Sequence, residues 1–340
     1  MTAAPEAPPS SAQPWWRRAL PFVVAAALVA VAVGRIDRGA FVAALARVHV
    51  AGYLGFSVGF VFALLAADSF ATVLIYRGAV APIRYLDFFV LRGASYLPSL
   101  LNHHVGQAFL TLALSRAYGV SLARVAGATL LVYASWVGCL LLLAAAAFQL
   151  RGMPLGWSGL VLAPGVVYLA VLVARPAALA RTRLLAPLFE AGVRGHLVAL
   201  AARIPHFIVL FVGTWVPFWF FEVRVPVGAA LALVPVLMVV VTLPITPQGL
   251  GTRDVVAAAL FEQFAAGAAR EERLAAITAC TASWVAAITI VEAALGLALL
   301  RAALPRVFRA KQGLSAEGAG RAGPGPADAA DTATDGRASP

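Results

Sequence analysis

The sequence predicts an all-α integral membrane protein with about six full transmembrane helices and two broken, re-entrant helical hairpins. Hydrophobic residues make up 62% of the 340 positions and charged residues only 12%, which is too little charge to cover a water-soluble surface. Hydrophobic blocks recur along the chain, and a full crossing takes about 20 such residues. Four blocks are shorter and form two pairs broken by Pro, Gly and polar residues, a pattern typical of discontinuous helices that line a protected cavity.

The elements follow one another in three regions. Residues 1–18 form a predicted disordered N-terminus that ends in an aromatic and basic interfacial anchor, and 19–304 form the membrane domain. The predicted full crossings are 19–34, 50–75, 125–149, 156–174, 197–221 and 275–304. The predicted hairpins pair 85–101 with 105–118 and 227–245 with 252–268. The last region, 305–340, is a basic juxtamembrane segment followed from about Gln312 by a tail whose low apolar content predicts disorder.

The distribution of cations predicts a multi-pass protein of the cytoplasmic (inner) membrane with both termini in the cytoplasm. If each short pair returns to the side it entered, fifteen Lys and Arg residues before the tail, Arg203 among them, lie inside and seven lie outside. Such residues are enriched in cytoplasmic loops, and 176–196 is the main predicted one. The net charge of +11 is therefore a topology signal, and we expect no nucleic-acid binding.

An internal repeat relates the two interrupted regions. Pro98 is followed by Gly106 and then by Ala-Ser-Trp-Val at 134–137, and Pro244 by Gly251 and then by the same four residues at 282–285. Because three predicted crossings separate the hairpins, the first would open from the cytoplasm and the second from outside. The sequence therefore predicts an inverted repeat, an arrangement that places a substrate site near the membrane midplane.

The strongest local motif is the segment 243–254, Leu-Pro-Ile-Thr-Pro-Gln-Gly-Leu-Gly-Thr-Arg-Asp. Pro244 and Pro247 end the incoming helix, while Gly249 and Gly251 permit a tight turn. Thr252 is the predicted cap of the next helix. The turn would point unpaired backbone N–H groups, at the positive end of a helix dipole, into the membrane interior.

Arg253 and Asp254 are the charged candidates of this turn. The Arg253 guanidinium offers planar, bidentate donors suited to phosphate. Placing an arginine at membrane depth costs roughly 2.5–3.5 kcal/mol, so either it contacts substrate or its side chain reaches the interface and anchors the turn. Asp254 is favoured by the helix dipole but does not face Arg253, because adjacent helical positions diverge.

The first hairpin offers a second polar set. Its predicted substrate-binding residues are Arg92, Asn102, His103, His104 and Gln107, and its predicted turn residues are Pro98 and Gly106. Adjacent histidines point apart and no acidic or thiol ligand is near, so we expect no metal site.

Other ionisable residues lie within the hydrophobic blocks: Asp68, Asp87, Glu262 and Glu292. Glu292 should face the bundle interior, where it would pair with an arginine or carry a proton for coupling. The sequence contains no phosphate-binding loop, nucleophile elbow or zinc-protease helix. We therefore expect neither enzyme activity nor a cofactor.

The segment 244–254 resembles the turn of the flippase-like membrane proteins, a family that includes the transmembrane region of lysylphosphatidylglycerol synthases and related bacterial and archaeal proteins. The resemblance extends over roughly 20–304. Five residues match the family's turn, and Asp254 stands where the family usually has Glu: Pro244, Pro247, Gly249, Gly251 and Arg253. The first hairpin departs from the family, with Gln107 in place of a Glu and Leu110 in place of an Arg.

The resemblance implies a lipid flippase or lipid transporter that binds a polar or anionic headgroup at mid-membrane, with Arg253 and the polar set of the first hairpin around it. The short tail leaves no room for an aminoacyl-transferase domain, so synthase activity is not expected. Two other classes stay open: a non-catalytic membrane partner of an envelope-lipid biosynthetic enzyme, and an ion-coupled transporter of a small solute. The sequence does not indicate the oligomeric state.

Overall fold

The computed structural model describes residues 38–242 and 251–320, and within these ranges it is helical, without a β-strand. The helices are α1 (Arg38–Ala46), α2 (Val50–Ala79), α3 (Tyr85–Ala94), α4 (Tyr96–Leu101), α5 (His103–Tyr118), α6 (Leu122–Leu150), α7 (Leu155–Ala174), α8 (Ala177–Ala180), α9 (Ala186–Trp215), α10 (Val227–Thr242), α11 (Thr252–Phe261) and α12 (Arg270–Gly320). Single 3-10 segments follow α9, at Val216–Phe221, and α11, at Glu262–Phe264.

In this part of the chain, five helices are long and apolar enough to cross a membrane: α2, α6, α7, α9 with its 3-10 extension, and α12. They are five of the six predicted crossings, and the remaining one, 19–34, lies outside the described residues, as does 1–18. Their outer faces are apolar; on α7, for example, Leu155 is 75% exposed and Val173 is 73% exposed. Such a surface is stable against lipid rather than water, which confirms the predicted all-α, multi-pass membrane class.

The interior contains two apolar clusters at different heights. The Trp284 cluster includes Tyr53 to Leu65 of α2, and the Tyr76 cluster includes Val73 to Ala79 of the same helix. Between them α2 buries three polar side chains: Asp68, Ser69 and Thr72.

Two other central helices, α6 and α9, also contribute residues to both clusters and bury a polar residue between the two sets. On α6, Ser135 lies between Val132 of the Tyr76 cluster and Cys139 of the Trp284 cluster. On α9, Arg203 lies between Ala199 and Phe207 in the same way. A buried polar layer therefore crosses the bundle near the middle of three long helices.

The first hairpin is formed by α3, α4 and α5. The chain reverses at Asn102, which is extended (φ −166°, ψ 135°) and whose side-chain oxygen caps α5 by accepting the His104 N–H at 2.8 Å. The helices on either side of the hairpin, α2 and α6, are in contact where Arg124 Nε donates to the Ala79 carbonyl at 2.6 Å.

The predicted turn role of Pro98 and Gly106 is wrong. Pro98 is the third residue of α4, where its missing N–H has no intrahelical partner to lose. Gly106 lies inside α5, where a Cβ would stand 1.8 Å from Ser99 Oγ and 2.8 Å from the Ser95 carbonyl. The glycine is what lets the two arms touch.

The second hairpin pairs α10 with α11, which pack against each other. An isolated β-bridge joins its flanks: Arg224 N–H donates to the Phe264 carbonyl at 2.9 Å, and Ala266 N–H donates to the Glu222 carbonyl at 3.1 Å. The segment that precedes α10 therefore lies next to the segment that follows α11. The predicted turn residues Pro244, Pro247 and Gly249 lie outside the described residues.

The last helix, α12, contacts the two hairpins at different heights. Near its start, Arg270 and Arg273 pair with Glu262 at 3.0 and 3.3 Å, and Thr281 donates a hydrogen bond to Asp254. Further along, a Cβ on Gly296 would lie 3.0 Å from Leu97. The second hairpin thus lies along the first part of α12, and the first hairpin along a later part.

Two predicted boundaries are wrong. The loop predicted at 176–196 is shorter, because α9 already begins at Ala186. Its first turns are separated from the rest of the helix by a kink at Gly192, whose φ of 58° and ψ of −173° are not helical. The tail predicted to be disordered from Gln312 is described as helix as far as Gly320, although three of the nine residues in 312–320 are glycine, a poor helix former.

Candidate functional site

A cavity of about 130 Å³ lies between α6, the end of α9, α10, α11 and α12. Most of its lining is apolar, including Trp136, Phe218, Met238 and Trp284. The polar groups that reach it are the guanidinium of Arg253 and three threonine side chains, Thr214, Thr242 and Thr281. The cavity is therefore a mostly hydrocarbon-like space with a single cation in its described lining.

Arg253 is the second residue of α11, so its side chain leaves the helix beside the free N–H groups of the first turn. Its Nη1 atom is buried and has no hydrogen-bond partner among the described residues. An unsatisfied buried donor of this kind typically costs about 1–3 kcal/mol, more when it is charged. A ligand with acceptor oxygens would remove that cost.

The residues around Arg253 are held by Asp254. Its carboxylate accepts the Gly251 N–H at 3.2 Å and the hydroxyl hydrogen of Thr281 on α12. Gly251, at φ 75°, is the N-cap, and the buried Thr252 is the first residue of α11, so the prediction that Thr252 caps this helix is wrong by one position. Among the described residues Asp254 forms no ion pair with Arg253, although its charge acts electrostatically on the guanidinium.

The tryptophans of the two matching Ala-Ser-Trp-Val segments line this same cavity. Trp136 comes from the middle of α6, and Trp284 comes from α12, one turn after Thr281. Two helices far apart in sequence thus contribute the same residue type to the lining of one cavity.

A second polar site lies in the buried layer between the two apolar clusters. We call Asp68, Arg92, Arg203 and His206 the charge layer. Arg92 Nε donates to Asp68 Oδ2 at 2.7 Å, and Arg203 Nη1 donates to Asp68 Oδ1 at 2.5 Å. One carboxylate therefore holds two arginines, one from the first hairpin and one from α9.

Arg203 is fully engaged in this layer. Its side chain is 1% exposed, and it also donates to Thr72 at 3.0 Å and to Ser135 at 3.4 Å. Arg203 was predicted to be one of the cytoplasmic cations, but it is buried in the interior of α9, where burial without pairing would be costly.

Arg92 is less enclosed, with 17% of its side chain exposed. Its Nη1 donates to Ser95 Oγ at 3.3 Å and to Gln107 Oε1 at 3.2 Å, and its guanidinium lies 5.8 Å from the Tyr96 ring centroid. Arg92 and Gln107, both predicted to bind substrate, are thus brought together, and they tie both arms of the first hairpin to α2.

The other predicted residues of the first hairpin do not line the Arg253 cavity. Asn102, His103 and His104 are exposed at the tip, where His103 Nε2 lies 3.5 Å from the Tyr133 hydroxyl. The single site predicted from both hairpins is therefore divided: one part surrounds Arg253, and another surrounds Arg92.

Glu292 lies on α12 and is partly buried. The ion pair predicted for it is absent among the described residues. Arg92 is the charged group that acts electrostatically on its carboxyl.

Sequence reasoning missed Arg203 and His206 as parts of a buried site. His206 Nδ1 lies 3.9 Å from Asp68 Oδ1 and makes no hydrogen bond within the described chain. The available signal was that both residues fall inside the apolar block 197–221, where ionisable side chains normally mark a pathway or an ion pair.

No family model, curated protein or solved structure matches this chain.

Proposed function

We propose that this protein transports an amphipathic anion across the membrane, and that the substrate is a lipid with a polar or anionic headgroup. The observation that supports this most directly is the buried, unpartnered Nη1 of Arg253 beside a mostly apolar cavity. Such a site fits a ligand that carries phosphate or carboxylate oxygens next to hydrocarbon.

Two features favour binding over a purely structural role for Arg253. A structural arginine inside a membrane protein is normally paired, as Arg203 is with Asp68. Arg253 instead faces three threonine side chains and the first turn of α11, whose N–H groups and dipole favour an anion. A headgroup oxygen would accept from the guanidinium while the acyl or isoprenoid chain remains in the bilayer.

The arrangement of the hairpins suggests how a substrate could reach the Arg253 cavity from either side of the membrane. Their contacts lie in different parts of α12, and the flanks of each hairpin return to a common point. We propose that the hairpins enter the membrane from opposite sides as an inverted repeat, with both termini in the cytoplasm, and that their rocking alternates access to the Arg253 cavity. Likeness to the flippase-like family is part of this proposal.

A small anionic solute is the second candidate substrate. The cavity volume of about 130 Å³ accommodates a headgroup or a small ion but not a whole lipid. In this alternative Glu292, which forms no ion pair with a described residue, would carry the coupling ion.

Reconstitution into liposomes tests both candidates. We expect the wild-type protein to move a fluorescent anionic lipid between leaflets, Arg253→Ala to reduce the rate by at least about tenfold through loss of a charge-assisted contact, and Arg253→Lys to recover part of it. Arg151→Ala, which removes an exposed arginine away from both hairpins, is the matched control.

Unchanged lipid movement in a correctly inserted Arg253→Ala variant would contradict the role of Arg253. Uptake of a small anion without lipid movement would select the solute alternative. If neither moves, a membrane partner of a lipid-synthesising enzyme becomes the better description, and it should depend on loop residues such as Arg181 and Arg183.

A further inference from the structure

The charge layer has one positive charge too many. Asp68 contributes one negative charge, whereas Arg92 and Arg203 each contribute one positive charge, and both are paired with that single carboxylate. His206 adds no negative charge. An uncompensated charge inside a membrane protein is costly, so the layer requires a further anion nearby.

Arg92 is the arginine of this layer that still has a free donor for a ligand. Arg203 uses all three guanidinium nitrogens on Asp68, Thr72 and Ser135. Arg92 uses Nε and Nη1, and its Nη2 makes no hydrogen bond to a described residue. Because Arg92 is also the more exposed of the two, an incoming anion would reach the layer at Arg92.

Glu292 is a described acidic residue that can supply the missing charge, because the charge of Arg92 acts on its carboxyl. It lies one helical turn from Gly296, which packs against Tyr96 and Leu97, and residues four apart share a helix face. Tyr96 in turn lies beside the Arg92 guanidinium and is acted on by the charges of both Arg92 and Glu292. The two groups therefore face a common region without forming an ion pair.

We propose that Arg92 is a second anion-binding site, for a phosphate or carboxylate group, and that Glu292 is a built-in competitor that supplies the counter-charge when no anion is bound. The inference rests on the proposed function only for the idea that the anion is the transported headgroup. Arg92 and Arg253 would then be two sites that bind the same anionic headgroup in turn during transport.

Binding to the full-length protein in detergent tests this proposal. The probes are short-chain phosphatidic acid, short-chain phosphatidylcholine and inorganic phosphate, and the readout is the shift of the thermal unfolding midpoint during titration. We expect Glu292→Gln to lower the half-saturating phosphatidic acid concentration about tenfold, since it removes a competing charge. Glu292→Asp keeps the charge and should bind as the wild type does.

The double variant separates this site from that of Arg253. The effect of Glu292→Gln should vanish in combination with Arg92→Gln and persist in combination with Arg253→Gln. A shift with phosphatidic acid alone would assign a lipid headgroup, and an equal shift with inorganic phosphate a free anion.

Equal binding by Glu292→Gln and Glu292→Asp, or an equal response to phosphatidylcholine, would overturn the proposal, and both outcomes remain decisive if Arg92→Gln does not fold. Transport can fail independently: a Glu292→Gln effect without lipid movement would leave the anion site valid and remove the proposed function. Lipid movement without a Glu292→Gln effect would support the proposed function and remove the anion site at Arg92.

Discussion

Each hairpin carries an arginine, but the two are used differently. Arg92 of the first hairpin shares Asp68 with Arg203 and is hydrogen-bonded to Gln107 in the returning arm. Arg253 of the second hairpin forms no ion pair with a described residue, and its Nη1 is buried without a hydrogen bond. The first hairpin is thus fixed to the bundle by charge, whereas the second is fixed next to its arginine by Asp254 and Thr281.

The difference is therefore one of degree: Arg92 holds the fold through Nε and Nη1 and has only Nη2 left for an anion, whereas Arg253 forms no ion pair with a described residue. A paired buried charge contributes most when its partner is present, because removing the partner leaves the other charge uncompensated. An unpaired charge contributes little to folding and is available to a ligand. The two hairpins should therefore respond in opposite ways when their charged residues are replaced.

The largest effect is expected for Asp68→Ala, which leaves Arg92 and Arg203 without a counter-charge. We expect a loss of about 3–5 kcal/mol of unfolding free energy, the usual consequence of breaking a buried pair, measured by denaturation in detergent. Arg253→Ala should cause no loss of stability and a gain of up to about 1–3 kcal/mol, because it removes a buried donor that has no hydrogen-bond partner among the described residues. Equal losses in both variants would remove the distinction between the hairpins.

A smaller effect is expected where the arms of the first hairpin touch. Gly106→Ala places a methyl group 1.8 Å from Ser99 Oγ, and overpacking of this kind costs about 1–3 kcal/mol. Gly55→Ala on α2 is the control, since nothing lies within 4 Å of the added Cβ. If both variants unfold at the same denaturant concentration, the arms are not in the contact described.

The second hairpin should be sensitive at Asp254 instead. Asp254→Ala removes the carboxylate that accepts the Gly251 N–H and the Thr281 hydroxyl, and loss of such a cap costs about 0.5–2 kcal/mol. Thermal unfolding should report this loss, while Glu271→Ala at the start of α12 should leave the midpoint unchanged. An Asp254→Ala variant as stable as the wild type would show that this carboxylate does not hold α11 in place.

The smallest effect concerns the base of the second hairpin and depends on pH. Glu262 lies outside the five candidate spans, and the hydrogen bond from Arg270 lowers the pKa of its carboxyl below the ordinary 4.5. A lowered folded-state pKa stabilises above the unfolded-state value and is lost as the pH falls through the folded-state value. The stability difference between wild type and Glu262→Gln should therefore be present at neutral pH and disappear below pH 4.5; a difference that grows on acidification would contradict it.

Hydropathy predicted the long helices well because a span of lipid imposes length and composition directly. It also located both hairpins, since short apolar pairs are visible in sequence. It placed the first reversal at Pro98 because proline is a strong breaker, although Pro98 occupies the first turn of α4 and Asn102 makes the reversal.

The charge layer was only partly predictable. Asp68, Arg92 and Gln107 were recognised as polar residues in apolar blocks, but which of them meet depends on how α2, α3, α5 and α9 pack, and that has no local signal. Arg203 was counted with the cytoplasmic cations although it lies inside the apolar block 197–221, because nothing in the local sequence shows that it pairs with Asp68. Around Arg253 the sequence identified the cation and its helix start, but not the wall formed by Trp136 and Trp284.

Both hairpins take their positions from one continuous helix, α12. Thr281, which contacts Asp254, and Gly296, which contacts Leu97, are fifteen residues apart, or about 22 Å along the axis. The number of residues between the two contacts therefore sets the angle about the α12 axis at which one hairpin lies relative to the other. One inserted residue between these contacts would turn one hairpin by about 100° relative to the other, so the sequence there should accept substitutions far more readily than changes of length.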